Sequence, residues 1–186
     1  MNFIIVDLEA TCWEDRQNKP NETIEIGAVC VDSNLNVLGE FCQFIQPTVN
    51  PVLSEFCIQL TSIIQDDVNS AEPFPVAIEA FKQWIQSYGE EYILCSWGNY
   101  DRTQFKNDCD LHGLDASWTN SHISLKHQYG EIKGMRRPAG MKAALNREGF
   151  ELEGVHHRGI DDARNIVKIF TKYFDDWNFN AVYKAK

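Results

Sequence analysis

The sequence predicts an α/β fold in which helices flank one mixed sheet of five strands. Three segments with strand patterns come first, which favours a three-stranded antiparallel meander. Helical and strand patterns then alternate along the rest of the chain, which indicates an α/β layer. At 186 residues the chain has the length of one domain, and we expect residues 1–186 to form a single domain.

The first three segments have the patterns of strands. Residues 3–6 form a continuous apolar run, which suits a strand that is buried on both faces. Residues 23–31 alternate and are rich in β-branched side chains, and residues 40–45 alternate again before Pro47. The turn-forming residues 33–36 separate the second segment from the third. We therefore predict three consecutive strands joined by turns.

After the three predicted strands, the spacing of the apolar residues changes from that of a strand to that of a helix. After Pro75, which the first turn of a helix tolerates, apolar residues recur at spacings of three and four as far as Tyr88. This spacing predicts an amphipathic helix. The remaining predicted elements are strands at residues 92–97 and 123–125 and helices from about Asp101, at residues 140–148 and at residues 161–174.

The composition excludes several classes of protein. Hydrophobic residues make up 44% of the chain and charged residues 24%, which excludes a disordered chain, a collagen and a coiled coil. No window approaches the roughly 18 apolar residues of a membrane-spanning helix, so we expect no membrane partner. The N-terminus has no basic region before its apolar residues, so we expect no signal peptide. The six cysteines are scattered without a C-x-x-C pair, which favours reduced thiols in a cytoplasmic protein over a zinc cluster.

The charges are distributed unevenly along the chain. The net charge is -10, whereas a protein that coats nucleic acid is usually basic. Residues 126–172 nevertheless contain ten of the 17 basic residues and only six acids, so this stretch has a charge of +4 and the remainder -14. A solvated surface of mixed charge is one explanation. A positive face that binds a polyanion is the other.

Two carboxylates lie at the carboxyl end of the first predicted strand. Asp7 and Glu9 are two residues apart, and alternate residues of a strand point to the same face. Adjacent carboxylates repel each other at neutral pH unless a cation lies between them. Oxygen ligands without a thiolate favour magnesium or manganese. A pair of solvated acids remains an alternative, because D-x-E alone is a weak signal.

Two further segments place acids at helix starts. Asp101 follows the predicted strand at residues 92–97 and stands at the start of the next predicted helix. An acid at a helix start is also explained as a helix cap. His157 lies in a glycine-containing loop before a helix whose first turn contains Asp161 and Asp162. Capping acids and a surface histidine would explain this segment as well. The order of these acids, each at the end of a strand or the start of a helix, favours one shared site.

These residues resemble the motifs of a known nuclease family. Residues 7–13 (D-L-E-A-T-C-W) are similar to the first motif of the DEDDh 3′-5′ exonucleases, in the branch of ERI-1 and the three-prime histone mRNA exonucleases. Residues 24–29 resemble the second strand of that branch, and residues 53–63 its L-S-x-F-C-x-x-L-T-x-I segment. Residues 97–101 stand at its second exonuclease motif, and residues 157–162 match the third, H-x4-D. The resemblance extends from about residue 3 to residue 173.

The resemblance implies a ribonuclease H-like fold and a metal-dependent active site. Asp7, Glu9, Asp101 and Asp162 would be the metal ligands and His157 the general base. His156 and Asp161 form a second H-x4-D pair, but the pattern H-x-G-[LI]-D-D fits only when Gly159 follows His157 by two. We also expect a bacterial-type, single-domain member without an additional RNA-binding domain.

Substrate contacts are predicted less directly. Ala10 and Thr11 follow the first two carboxylates and would offer backbone groups to the terminal sugar. Phe56, Leu60 and Trp97 would stack on or wedge the terminal bases, since single-stranded nucleic acids commonly bind to aromatic side chains. Arg158 would bind an upstream phosphate. Each aromatic residue is also a candidate for ordinary core packing, and Trp13 and Glu25 receive no role.

The predicted function is 3′-5′ exonuclease activity on single-stranded nucleic acid, RNA more than DNA, with release of nucleoside 5′-monophosphates. Two divalent cations, Mg²⁺ or Mn²⁺, about 4 Å apart would bind the four carboxylates and both sides of the phosphodiester. His157 would remove the proton of the attacking water. A catalytically silent module that binds nucleic-acid ends or a protein is one alternative. A phosphodiesterase that acts on small nucleotides or very short oligonucleotides is the other, because the net charge of -10 suits short substrates.

Overall fold

The structure is a computed structural model that describes residues 1–15 and 18–181. The predicted single domain of residues 1–186 therefore includes residues 16, 17 and 182–186, which lie outside the described part. The strands are β1 (Asn2–Ala10), β2 (Thr23–Asp32), β3 (Val37–Gln46), β4 (Glu72–Pro73), β5 (Tyr92–Ser96) and β6 (His122–Ser124). The α-helices are α1 (Glu55–Thr61), α2 (Gln65–Asn69), α3 (Phe74–Gln86), α4 (Tyr100–His112), α5 (Leu125–Ile132), α6 (Met141–Glu148) and α7 (Gly159–Lys172).

The strands form one mixed sheet in the order β4-β3-β2-β1-β5-β6. β1, β2 and β3 are the predicted antiparallel meander, and β5 and β6 extend the sheet in parallel beside β1. The described sheet has six strands rather than the predicted five. The additional strand, β4, is two residues long and pairs with the end of β3. Two residues are too few to show a strand period, and the proline in β4 lacks the N–H group of a regular ladder.

The first strand is longer than its apolar run. β1 continues to Ala10, because its last residues pair with the start of β2. Asp7 and Glu9 therefore lie inside a paired strand and not in the loop after it. The helix predicted at residues 161–174 begins earlier, at Gly159, so that Asp162 occupies its first turn.

The core lies on both faces of the sheet. On one face, odd-numbered residues of β1 such as Phe3 and Ile5 pack with Ile166 and Phe170 of α7. On the other face, even-numbered residues such as Ile4 and Val6 pack in a cluster that includes residues of α3 and α4. Burial on both faces explains why residues 3–6 are apolar without alternation.

A close backbone approach sets the position of α7. Gly27 on β2 pairs with Asp7 on β1, and Gly159 at the start of α7 lies against both. A Cβ atom at Gly27 would collide with the backbone of Gly159 and Ile160, and one at Gly159 would lie 2.9 Å from the carbonyl oxygen of Asp7. Glycine at both positions therefore allows the N-terminus of α7 to meet the acidic part of β1.

Across the described residues, no helix combines the length and the apolar character that spanning a membrane requires. All six cysteines are free of disulfide bonds.

Candidate active site

Four carboxylates from three elements meet at one place on the sheet. Asp7 and Glu9 project from β1 toward the α7 face, and Asp162 joins them from the first turn of α7. Oxygen atoms of these three side chains all lie within 4.8 Å of one another. Asp101 arrives from the first turn of α4, and its Oδ1 accepts a 3.1 Å hydrogen bond from the N–H of Leu8, between Asp7 and Glu9. The structure thus brings together all four acids that the sequence analysis selected.

Two adjacent histidines complete the cluster. Nδ1 of His156 lies 3.0 Å from Oδ2 of Asp162, and the backbone N–H of His157 donates to the same oxygen at 3.0 Å. The two imidazole rings are stacked with their centroids 4.0 Å apart. His157 has a φ of 67°, in the left-handed region that few non-glycine residues adopt. Both rings therefore border the acids, and His156, which the sequence analysis set aside, has the side-chain contact with Asp162.

The acids and histidines line a cleft of about 380 Å³. Trp97, Tyr100, Gly140 and Met141 form other parts of its wall. The indole Nε1–H of Trp97 donates to the carbonyl oxygen of Ala139 at 3.1 Å, and its ring contacts Tyr129. Trp97 is therefore fixed by packing on one side while its other side borders the cleft.

Burial disfavours the ionised forms of Asp7, Glu9 and Asp101, and neighbouring negative charges add to this effect at Asp7 and Glu9. Burial first, and then the negative charges of Asp162, Glu25 and Asp101, together raise the pKa of Glu9 to about 8. The pKa of Asp7 is well above its ordinary value, first because of burial and then because of Asp101 and Glu9. Burial also raises the pKa of Asp101 to about 6, against the opposing effect of hydrogen bonds from Leu8 and Ser96.

The same residues fit a divalent cation. Carboxylate oxygens are the ligands that magnesium and manganese prefer. Within residues 1–15 and 18–181, no ion pair joins Asp7, Glu9 or Asp101 to a lysine or an arginine. Clustered buried acids without a basic partner need another positive charge when they ionise. The donor set and its unbalanced charge therefore match a site for oxygen-preferring metal ions.

The predicted substrate contacts occupy different environments. Phe56 and Leu60 lie four residues apart on α1 and are each 37% exposed, which is high for large apolar side chains. Ala10 is buried, and the N–H, hydroxyl and carbonyl oxygen of Thr11 all bond to Asn21 or Glu22. The backbone of Thr11 thus already has partners within the chain.

Arg158 already has partners within the chain. Its Nε and one terminal nitrogen donate to the two carboxylate oxygens of Glu25 at 3.2 and 3.1 Å, and its guanidinium lies over the ring of Phe44. Glu25 has no role among the sequence-based predictions, although an acid within a buried strand was a detectable signal. Tyr100 was also passed over, and it is 53% exposed beside the cleft.

Comparison with known proteins agrees with this geometry. The family model described as "Exonuclease" matches residues 4–170 of the chain. The chain belongs to this exonuclease family. The Drosophila melanogaster 3′-5′ exonuclease Snipper is 32% identical over 204 residues, which cover 97% of this chain and 72% of Snipper. Rattus norvegicus 3′-5′ exoribonuclease 1 is 34% identical over 181 residues, which cover 92% of this chain.

The structural comparison places the chain within the DEDDh, ERI1-like exonucleases. The nuclease domain of 3′hExo, a DEDDh family member solved with bound rAMP, superposes with a TM-score of 0.92 at 27% identity. The match covers 100% of this chain and 97% of that domain. The predicted ribonuclease H-like fold and the predicted family are thereby confirmed. The chain spans 52% of the rat exoribonuclease and 28% of Xenopus laevis ERI1 exoribonuclease 2, to which it is 31% identical.

The raised pKa of Glu9 generates a prediction about stability. Without metal, the folded protein retains a proton on Glu9 that the unfolded chain releases between its ordinary pKa of 4.5 and about 8. The free energy of unfolding therefore falls as the pH rises through this window. Glu9→Gln removes this ionisable group. The melting temperature of the variant minus that of the wild type should therefore increase between about pH 5 and pH 8, by at least about 3 °C. For a domain of this size, 1 kcal/mol of stability corresponds to about 2–4 °C.

Differential scanning calorimetry in EDTA measures this difference. Glu79→Gln, which removes an exposed carboxylate on α3, is the matched control and should show a constant difference. A difference for Glu9→Gln that is independent of pH would show that Glu9 ionises normally in the fold.

Proposed function

We propose that this chain is a metal-dependent 3′-5′ exonuclease that shortens single-stranded nucleic acid, RNA in preference to DNA, and releases nucleoside 5′-monophosphates. The observation that carries the proposal is the meeting of Asp7, Glu9, Asp101 and Asp162 beside two histidines in one cleft. Family membership supports hydrolysis of phosphodiesters. The names of the exoribonuclease relatives and the rAMP bound to the similar nuclease domain support RNA as the substrate.

The four carboxylates are proposed to hold two divalent cations, Mg²⁺ or Mn²⁺. When bound, these ions polarise the scissile phosphodiester and lower the pKa of the attacking water. Oxygen atoms of Asp7, Glu9 and Asp162 all lie within 4.8 Å of one another, so these three side chains would share an ion. Asp101 is held by the N–H of Leu8, which fixes its carboxylate toward β1.

His157 is proposed to remove the proton of the attacking water. Burial and the adjacent His156 lower the pKa of His157, and the positive charge of Lys142 acts in the same direction. A neutral imidazole at physiological pH can accept a proton. The H-x-G-[LI]-D-D pattern favours His157 over His156, although His156 contacts Asp162 in the structure.

The substrate is proposed to enter with its 3′ end at the carboxylates. Trp97 in the cleft wall and the exposed Phe56 and Leu60 on α1 are the candidates for base contacts. Ala10 and Thr11 remain candidates for the terminal sugar through their position after Glu9. Arg158 is the weakest candidate, because its guanidinium is bound to Glu25.

The basic stretch is proposed to bind upstream phosphates. Arg136 and Arg137 are exposed in the loop that leads to Gly140 and Met141 in the cleft wall. A cytoplasmic location is also proposed, and the six free cysteines support it. The net charge of -10 favours short oligonucleotides as a second class of substrate.

Removing the metal or its ligands should abolish hydrolysis. EDTA should stop turnover of a labelled RNA, and millimolar Mg²⁺ or Mn²⁺ should restore it. Asp7→Asn and Asp162→Asn should lose several orders of magnitude in kcat, because each removes a ligand charge. The metal-free melting temperature of Asp7→Asn should equal or exceed that of the wild type, because repulsion within the cluster is relieved. Glu79→Gln should retain full activity, and complete turnover in EDTA would exclude the metal-dependent mechanism.

The two histidines should differ in their effect on turnover. His157→Ala should lower kcat by about 10²- to 10⁴-fold, which is the usual contribution of a general base. His156→Ala should retain most of the wild-type kcat. Single-turnover kinetics at saturating metal measure both, and the rise in melting temperature with Mn²⁺ shows whether each variant still binds metal. The opposite ranking would assign the base to His156.

Charge reversal in the basic stretch should affect long substrates only. Arg136→Glu and Arg137→Glu should raise KM roughly tenfold for a strand of about 20 nucleotides, with a smaller change in kcat. The effect should shrink as salt concentration rises, because the wild-type contact is electrostatic. A dinucleotide is too short to reach this loop and should be hydrolysed equally by variant and wild type.

Lys82→Glu on α3 is the control for a reversed charge outside the cleft wall. Products from a 5′-labelled strand should shorten stepwise from the 3′ end. Cleavage of a circular strand would exclude the end-directed mechanism, and an equal loss on the dinucleotide would exclude the basic stretch as the phosphate contact.

A further inference from the structure

Glu25 is a charged side chain with no exposed surface near the start of β2. It is the strand partner of Glu9, so both side chains lie on the α7 face of the sheet. Oε1 accepts from Arg158 at 3.1 Å and from the thiol of Cys42 at 3.4 Å. Oε2 accepts from Nε of Arg158 at 3.2 Å and from the N–H of Gly159 at 2.9 Å.

These four hydrogen bonds separate Glu25 from the metal-binding acids. An ionised carboxylate accepts about four hydrogen bonds, so its oxygens are fully used within the chain. Burial of a carboxylate is strongly unfavourable unless it is paired and hydrogen-bonded. The bidentate contact with Arg158 provides that pairing. Glu25 therefore acts on the site through the residues that it holds, and not as a ligand.

The residues that Glu25 holds are the start of α7. Arg158 is the N-cap of this helix, and its side chain makes no capping hydrogen bond. Glu25 supplies the missing acceptor from the neighbouring strand, by accepting from the N–H of Gly159, the first helical residue. A negative charge at a helix N-terminus is also favoured by the helix dipole. The contact thus caps α7 from outside the helix.

The capped turn contains the catalytic candidates. His157 directly precedes Arg158, and its backbone adopts the left-handed conformation. Asp162 lies in the first turn of α7, and its N–H donates to the carbonyl oxygen of Arg158 at 2.9 Å. Any shift of Arg158 and Gly159 relative to β2 would therefore move His157 and Asp162 relative to Asp7 and Glu9.

We propose that Glu25 is a positioning residue that fixes His157 and Asp162 against the carboxylates of β1, by clamping Arg158 and Gly159. The inference extends the proposed exonuclease function by adding a residue outside the ligand set. It also assigns Arg158 to this clamp rather than to a substrate phosphate.

Glu25→Gln tests the clamp, with Glu148→Gln as the matched control. The side chain of Glu148 is likewise only 4% exposed and accepts hydrogen bonds and ion pairs, but from Tyr173 and Lys172 at the opposite end of α7 and from Tyr129 and Lys133 at α5. Glu25→Gln should lower kcat by about 10- to 100-fold at saturating metal, the usual loss when a residue that orients a ligand is changed. KM should stay within about twofold of the wild-type value. Glu148→Gln should lower the melting temperature but leave kcat within about twofold.

Two readouts are independent of activity. Amide hydrogen exchange at Gly159 and Asp162 should accelerate in Glu25→Gln and remain unchanged in Glu148→Gln. The rise in melting temperature on adding Mn²⁺ should be smaller in Glu25→Gln than in the wild type. If the wild type fails to hydrolyse nucleic acid, the proposed function is wrong, while these two readouts still test Glu25.

Arg158→Lys is a milder variant for the case that Glu25→Gln does not fold. It retains the charge but loses the bidentate contact, and it should reduce kcat with little change in KM. A rise in KM alone would assign Arg158 to the substrate and overturn the clamp. The proposal would also be overturned if Glu25→Gln kept the wild-type kcat and Mn²⁺ response, or if Glu148→Gln lost as much kcat as Glu25→Gln.

Discussion

The mutual repulsion of four carboxylates is the constraint on which the rest of this structure depends. Burial and neighbouring negative charges disfavour the ionised forms of Asp7 and Glu9, and burial disfavours that of Asp101, as their raised pKa values indicate. A fold can keep such acids together only if they lie on rigid elements and if packing of the core offsets the unfavourable free energy of burying them side by side. Here β1 lies inside the sheet, and packed residues on both faces hold it in place. The helix starts that deliver the other two acids are anchored to this strand.

The two helices are anchored by different contacts. Asp101 bonds directly to the backbone of β1, at the N–H of Leu8. Asp162 depends on the approach of α7, which two glycines permit and the Glu25 clamp directs. The second arrangement uses a buried charge pair, which contributes more to a defined geometry than to stability. This difference explains why a glutamate outside the acidic cluster matters to the position of an acid within it.

The sequence was sufficient to select the acids that meet in the cleft, but not to predict the contacts that hold them there. Asp7, Glu9 and Asp101 stand at recognisable ends of strands and starts of helices, and the motif around His157 and Asp162 is specific. Strand β4 could not be predicted, because its two residues show no period and form a strand only through pairing with β3. The roles of Glu25 and Arg158 depend on a contact between residues 133 positions apart, which no local pattern encodes. Local patterns thus locate the functional groups, while long-range contacts determine how they are held.

The negative charge of the cleft also determines how a nucleic acid can approach it. The carboxylates would repel the phosphates of a nucleic acid, and the net charge of -10 would add to that repulsion. Two divalent cations would neutralise the four carboxylates and remove the local barrier, so metal binding is expected to precede or accompany productive entry of the 3′ end. The basic residues 136 and 137 lie in the loop that leads to the cleft wall. There they would attract upstream phosphates without competing with the metal ions for the carboxylates. In the proposed function, this separation of the acidic centre from the basic loop would allow one small, acidic domain to bind a polyanion.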